Sequence, residues 1–179
     1  MAQLLSTLKG DITIRKATPE DATLLRELRL EALSMHPEAF AADVAMAAAE
    51  GVDVWAARIA DYATNESMSI SIAEYVGQLI GMAGIGRGHW PKTRHSSILW
   101  GVYVNPDWRG LHIAEAIINE CITWAREHGV VVVKLGVITI NVSAIRCYTR
   151  SGFKVYGTDP KSNYYNDVYY DELLMVREI

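Results

Sequence analysis

The stretch Val102-Tyr-Val-Asn-Pro-Asp-Trp-Arg-Gly-Leu-His-Ile-Ala114 decides how this chain is read. It opens as a β-branched and aromatic strand, stops at Pro106, and turns directly into an apolar-periodic helix. Such a connection leaves unpaired backbone N–H groups and the positive end of a helix dipole facing outward, which makes it an anion site by construction. Arg109 adds a charge at the turn, and Gly110 adds room for close approach.

Working outward, a helix is expected from about Arg109 to Glu127. Ala114, Ile117, Ile118, Cys121, Ile122 and Ala125 keep the helical repeat, and His128-Gly129 closes it. Val130 to Val137 is almost wholly apolar and reads as a strand covered on both faces, reached by a helical crossover. Asn141 then caps a short second helix that Gly152 ends. Upstream, Ile12-Thr-Ile14 is a short strand. Thr18-Pro-Glu-Asp21 starts a helix running from about Pro19 to Ser34, with Leu25, Leu28 and Ala32 on one stripe and Glu27 and Glu31 on a polar side. His36-Pro37 ends it. A short helix within Glu38 to Glu50 and a better one from Val52 to Tyr62 follow. Met68 to Tyr75 and Leu79 to Gly86 form a hairpin around Val76-Gly77-Gln78, and Ser97 to Val104 is a third strand. Phe153 to Gly157 and Tyr165 to Val176 close the chain as strands around a polar turn, Asp159-Pro-Lys-Ser-Asn163. The expected class is α/β, with a mixed central sheet of about six to seven strands flanked by helices. Residues 11–179 form one domain behind a flexible N-terminal segment, residues 1–10.

The 179 residues are half hydrophobic and about a fifth charged, enough for one sizeable core. A formal charge of −4 argues against a nucleic-acid surface. With no apolar run of about eighteen residues and no signal-peptide order in Met1 to Gly10, a cytoplasmic protein without a membrane partner is expected. Cys121 and Cys147 are far apart on helices and read as buried reduced thiols, not as a metal site or disulfide.

Arg109, His112 and Ala114, set between a strand and a long helix, resemble the Arg/Gln-x-x-Gly-x-Gly/Ala signature of the GNAT superfamily of N-acetyltransferases. Asn141, Ala144, Tyr148, Gly152 and Phe153 resemble that family's second cofactor segment. Ile14-Arg15, Thr18 to Asp21 and the closing Tyr165 to Met175 extend the likeness over nearly the whole chain. The resemblance implies acetyl-CoA as co-substrate and direct transfer of the acetyl group to a primary amine in a ternary complex. Backbone groups of Val102 and Val104 would pair with the pantetheine arm. Amides of Arg109, Gly110, Leu111, His112, Ile113 and Ala114 would hold the pyrophosphate. Asn141 would hydrogen-bond the arm, and Tyr148 would stand near the sulfur as the catalytic group.

His112 departs from the pattern, since glycine usually stands there. Its ring could point aside, contact a phosphate oxygen as an imidazolium, or occupy the phosphate site. Spacing alone makes Tyr148 a core tyrosine with its hydroxyl at the edge. No Asp or Glu lies between Ser96 and Val104, so the general base is open among Glu74, His89 and His95. The acceptor is a small amine, an amino acid or a peptide terminus. The resemblance draws its walls from His36 to Phe40 and from the tyrosine-rich Tyr164 to Tyr170. The rival readings are a noncatalytic acyl-CoA-binding module and an interaction domain that has lost the cofactor. Pairing of the terminal strands in a homodimer stays open.

Overall fold

The computed structural model describes residues 2–179. In chain order the elements are β1 (Gln3–Thr7), β2 (Gly10–Lys16), α1 (Ala22–Met35), α2 (Val44–Ala49), α3 (Val52–Asn65), β3 (Met68–Tyr75), β4 (Gln78–Arg87), β5 (Ser96–Val104), α4 (Ile113–Glu127), β6 (Val132–Ile138), α5 (Val142–Arg150), β7 (Lys154–Tyr165) and β8 (Val168–Glu178). Short 3₁₀ turns at Pro19–Asp21, Pro37–Ala39 and Pro106–Trp108 join them. The strands form one mixed sheet in the order β1-β2-β3-β4-β5-β6-β8-β7. Only β5 and β6 run parallel, because α4 carries the chain back to the starting edge.

Two clusters hold the helices to opposite faces. Ile113, Ile117, Cys121 and Ile122 of α4 pack with Ile12, Ile14, Ile85, Val133 and Phe153. Leu25, Leu28 and Ala32 of α1 pack with Trp55 and Ile59 of α3 and with Ile72, Met82 and Tyr103 of the sheet. The stripe expected on α1 is therefore the stripe that is buried. At its entrance the Asp21 carboxylate accepts from the Thr18 N–H and takes both Nη atoms of Arg15, at 2.7 and 2.8 Å.

Several boundaries differ from the sequence reading. The sheet has eight strands, where six to seven were expected. The extra one is β1, which lies in the segment read as flexible and pairs antiparallel with β2. Its signal is weak because it is an edge strand with Leu4 exposed, and only Leu5 packs on the core. Met1 lies outside the described residues. β6 was expected to be covered on both faces, yet its residues alternate, with Val133, Leu135 and Val137 buried and Lys134 and Gly136 exposed. The polar segment expected as the last turn is a bulge inside β7, where the Lys161 N–H donates to Asp171 Oδ1 at 2.8 Å. The turn itself is Asn166-Asp167, both left-handed at φ 48° and 59°, the conformation that a two-residue hairpin of this hand requires. α4 begins at Ile113, four residues later than expected, because Gly110 (φ 81°) and His112 (φ 60°) break the helical path.

Val76 and Gly77 turn the β3–β4 hairpin with φ of 48° and 77°. Valine is a costly residue there, since its branched Cβ crowds the backbone in the left-handed region. Val76 is 85% exposed, so it repays none of that cost by burial. We expect Val76→Asn to stabilise the fold by about 1 kcal/mol in urea unfolding.

Candidate active site

The cleft is made by two departures from a regular sheet. The first is a bulge in β5. A regular strand would place Leu99 and Tyr103 on the same face. The pairing with β4 slips between Trp100 and Tyr103, and Gly101 there has φ 65°. The extra residue sends Leu99, Val102 and Val104 to the α4 cluster and Tyr103 to the α1 cluster. The second departure is that β5 and β6 pair only at Ser96/Val132, Ser97/Val133 and Ile98/Lys134. Beyond that point the two strands separate, and β5 runs on to Val104 without a neighbour on that side.

A cleft of about 400 Å³ fills the separation. Val102, Tyr103 and Val104 form its floor, and Gly110, His112, Ile113 and Ala114 stand at the α4 end. Asn141, Ala144, Cys147 and Tyr148 of the α5 segment form one wall, with His36, Glu38, Ala39 and Phe40 contributing another. The volume falls within the ordinary range of small-molecule sites.

All the singled-out site residues except Leu111 line this cleft; Leu111 packs its side chain on the core. Among the described residues the amides of Gly110, Leu111, His112, Ile113 and Ala114 have no protein acceptor. They sit at the N-terminus of a fifteen-residue helix, where an anion is favoured. Arg109 behaves otherwise. Its N–H donates to Pro106 O at 3.2 Å, its Nε donates to Val104 O at 3.0 Å, and its Nη2 lies 3.1 Å from His36 Nε2. It latches the turn to the end of β5 and occupies one of the two acceptor positions of the Val104 carbonyl.

His112 occupies a left-handed position, which is the physical reason a glycine would suit it. Its side chain is 73% exposed, with Nδ1 3.3 Å from Glu115 Oε1. The imidazole thus stands against Glu115, and the geometry favours the first of its three readings. Glu115 also takes Arg150, through Nε at 2.9 Å and Nη2 at 2.5 Å. Burial raises the Glu115 carboxyl, but the Arg150 hydrogen bond and charge outweigh it and hold the group below its usual range.

Asn141 caps α5 through Oδ1, which accepts from the Ala144 N–H at 3.2 Å and from Ser143 Oγ at 3.0 Å. Its Nδ2 has no protein acceptor among the described residues, so the amide remains a donor toward the cleft. Tyr148 is 8% exposed and its ring packs edge-on to Phe153. Its hydroxyl makes no protein hydrogen bond among the described residues. Burial pushes its phenol well above the ordinary value, so it stays protonated at any physiological pH. Cys147 and Cys121 are both free and buried. Burial pushes the Cys147 thiol up to about 11 and the Cys121 thiol up to about 12, which leaves neither as a ready nucleophile.

None of the three bases considered from sequence lines the cleft. Glu74 is held by Arg15 at 2.7 Å on β3, and His89 and His95 lie on the β4–β5 connection. The tyrosines of 164–170 do not line it either: Tyr164 bonds Asp167 at 2.7 Å and packs on Tyr169. The turn from His36 to Phe40 does line it, as expected. The sequence reading missed Glu31, whose Oε1 accepts from Tyr103 at 2.7 Å and Asn105 at 2.8 Å behind the cleft floor. Its position on the polar side of α1 was visible, but the bulge that turns Tyr103 toward it was not.

The acetyltransferase (GNAT) family model matches residues 30–153. An uncharacterized N-acetyltransferase of Mycobacterium tuberculosis is 32% identical over 102 residues, spanning 57% of this chain and 63% of the relative's length. The L-amino acid N-acetyltransferase AaaT of Escherichia coli K12 is 26% identical over 172 residues, 94% of this chain and 98% of the relative. In fold, the chain superposes on the phosphinothricin acetyltransferase of Sinorhizobium meliloti, solved with acetyl-CoA, at a TM-score of 0.80. That match covers 94% of this chain and 88% of the other, at 18% identity. The signature turn, the splayed strands and the family match together place this chain in the acetyltransferase (GNAT) family.

Proposed function

We propose that the protein transfers an acetyl group from acetyl-CoA to a primary amine by direct attack, with both substrates bound together. The observation that carries this reading is the cleft that joins three features. These are a strand edge without a neighbour at Val102 to Val104, five unpaired amides at Gly110 to Ala114, and an unpartnered tyrosine hydroxyl at Tyr148.

The amides suit a pyrophosphate, and the strand edge with Asn141 Nδ2 suits an amide-bearing arm laid along it as an added strand would be. Bound acetyl-CoA would supply the activated thioester. A backbone N–H of the splayed strand is a ready donor for the thioester carbonyl as charge develops there. Tyr148 stabilises the departing thiolate by hydrogen bonding. At unperturbed values, full proton transfer from a phenol to a thiolate is uphill by about 2 kcal/mol, and burial of Tyr148 weakens the phenol as an acid still further. Holding two substrates in one cleft supplies a large part of the rate, so the chemistry does not hang on a single proton carrier. His36 and Glu38 are the titratable groups on the wall facing the acceptor.

The reading is tested by thiol release from acetyl-CoA across a panel of amines, beside calorimetric titration with acetyl-CoA alone. We expect binding and amine-dependent release. Binding without release for any amine identifies a noncatalytic module, and neither binding nor release identifies a domain that has lost its ligand. Tyr148→Phe is expected to lower kcat by about ten- to a thousandfold with little change in the KM for acetyl-CoA. Since the hydroxyl has no protein partner, the variant orphans nothing and should fold normally. With its ring aside, His112 should be dispensable. His112→Gly should leave acetyl-CoA affinity within about threefold, less than 1 kcal/mol, in the same titration.

A further inference from the structure

Four side chains that line the cleft can take up a proton near neutral pH: His36, Glu38, His112 and Glu115. Two of them stand together at the α4 end, where the anion belongs. There Glu115 is held by Nε and Nη2 of Arg150 and faced by His112 Nδ1. His36 is committed in another way, because its Nε2 lies 3.1 Å from Arg109 Nη2. A guanidinium nitrogen only donates, so Nε2 is the acceptor in that contact and the ring proton sits on Nδ1. Neither ring nitrogen then has a lone pair to offer a substrate.

Glu38 is what remains. Among the described residues its carboxylate accepts no hydrogen bond, and its one ion contact is His36 Nδ1, 3.9 Å from Oε1. That distance is too long for a hydrogen bond, so both oxygens keep their lone pairs while the N–H edge of His36 faces the charge. The side chain is 27% exposed and lines the cleft, which leaves it within reach of a ligand there. Its backbone is fixed on both sides. The Ala39 N–H donates to His36 O at 3.0 Å, and Asn163 Nδ2, from the β7 bulge, donates to Glu38 O at 3.2 Å. A run of contacts ties this turn to the cleft floor, from Val104 O to Arg109 at 3.0 Å and from Arg109 to His36 at 3.1 Å.

We infer that Glu38 is the general base of the transfer. This rests on the acetyl-transfer reading and deepens it. At unperturbed values, complete transfer of a proton from an alkylammonium to a carboxylate is unfavourable by about a millionfold. The amine therefore attacks in its neutral form, and Glu38 acts on the proton that becomes surplus once nitrogen is bonded to carbon. The nitrogen lone pair forms the N–C bond to the thioester carbon, and the C–S bond breaks with its electron pair left on sulfur. Glu38 accepts one N–H proton, directly or through one water. That proton passes through solvent to the departing thiolate, so the products are an amide and a thiol.

The experiment compares wild type with Glu38→Gln, Glu38→Asp and Glu38→Ala. Thiol release is followed on the best amine of the panel, and acetyl-CoA binding is measured separately. The Glu38 side chain has no hydrogen-bond partner, so the variants orphan nothing, and retained acetyl-CoA affinity reports that they fold. Glu38→Gln should lower kcat by at least about a hundredfold, with acetyl-CoA affinity within about threefold of wild type. Glu38→Asp should keep an intermediate rate. Added formate should raise the rate of Glu38→Ala, whose missing carboxylate it replaces, and leave wild type unchanged. A kcat for Glu38→Gln within about threefold of wild type would overturn the inference and leave the transferase reading intact. So would a loss confined to the KM for the amine, or a loss in Glu38→Ala that formate does not relieve. If Glu38→Gln no longer binds acetyl-CoA, Glu38→Ala with and without formate decides alone. Acetyl-CoA binding without release by wild type would overturn the transferase reading and this inference together.

Discussion

The structure depends on a sheet that fails to close. β5 and β6 share three register pairs and then part, because β5 carries an extra residue at Gly101 while β6 runs straight to Ile138. Backbone polar groups in the middle of a sheet are normally satisfied by neighbouring strands. Here the helical crossover that makes the two strands parallel also brings the N-terminus of α4 to the mouth of the gap. Unpaired strand and helix N–H groups are thereby gathered in one place. The same bulge reverses the side-chain parity of β5, so that Tyr103 leaves the α4 face and meets Glu31 on α1. One glycine in the left-handed region thus shapes the cleft and selects which side chains lie behind its floor.

What was legible in the sequence was whatever a local pattern expresses. The α4 stripe, the Thr18 to Asp21 cap, the Asn141 cap and the strand–Pro106–helix turn are all written in neighbouring residues, and each was found in place. What was not legible depended on distant partners or on single dihedral angles. β1 has too few apolar residues to announce itself and exists because β2 offers an edge. The run Asp159 to Asn163 is as polar as any turn, but two adjacent left-handed residues at Asn166-Asp167 do the turning and leave the run as a bulge.

His112 shows how a departure from pattern can be tolerated. The usual preference for glycine at that point is a preference for a left-handed backbone, and here a non-glycine residue adopts it. The ring is then carried outward to Glu115, whose charge Arg150 already stabilises. The donors needed by an anion are the amides, and a side chain directed elsewhere leaves them as they are.

Arg109 has a consequence of a different kind. Its guanidinium joins Val104 on the floor to His36 on one wall of the cleft, while its backbone N–H is tied into the turn ahead of α4. One cation therefore belongs to three surfaces at once. Any ligand that draws Arg109 toward one of them loosens its hold on the others, and thermodynamic reciprocity makes that influence equal in both directions. In the proposed reaction the two substrate sites are in this sense joined by one balance, in which the ordering of either half is felt as affinity by the other.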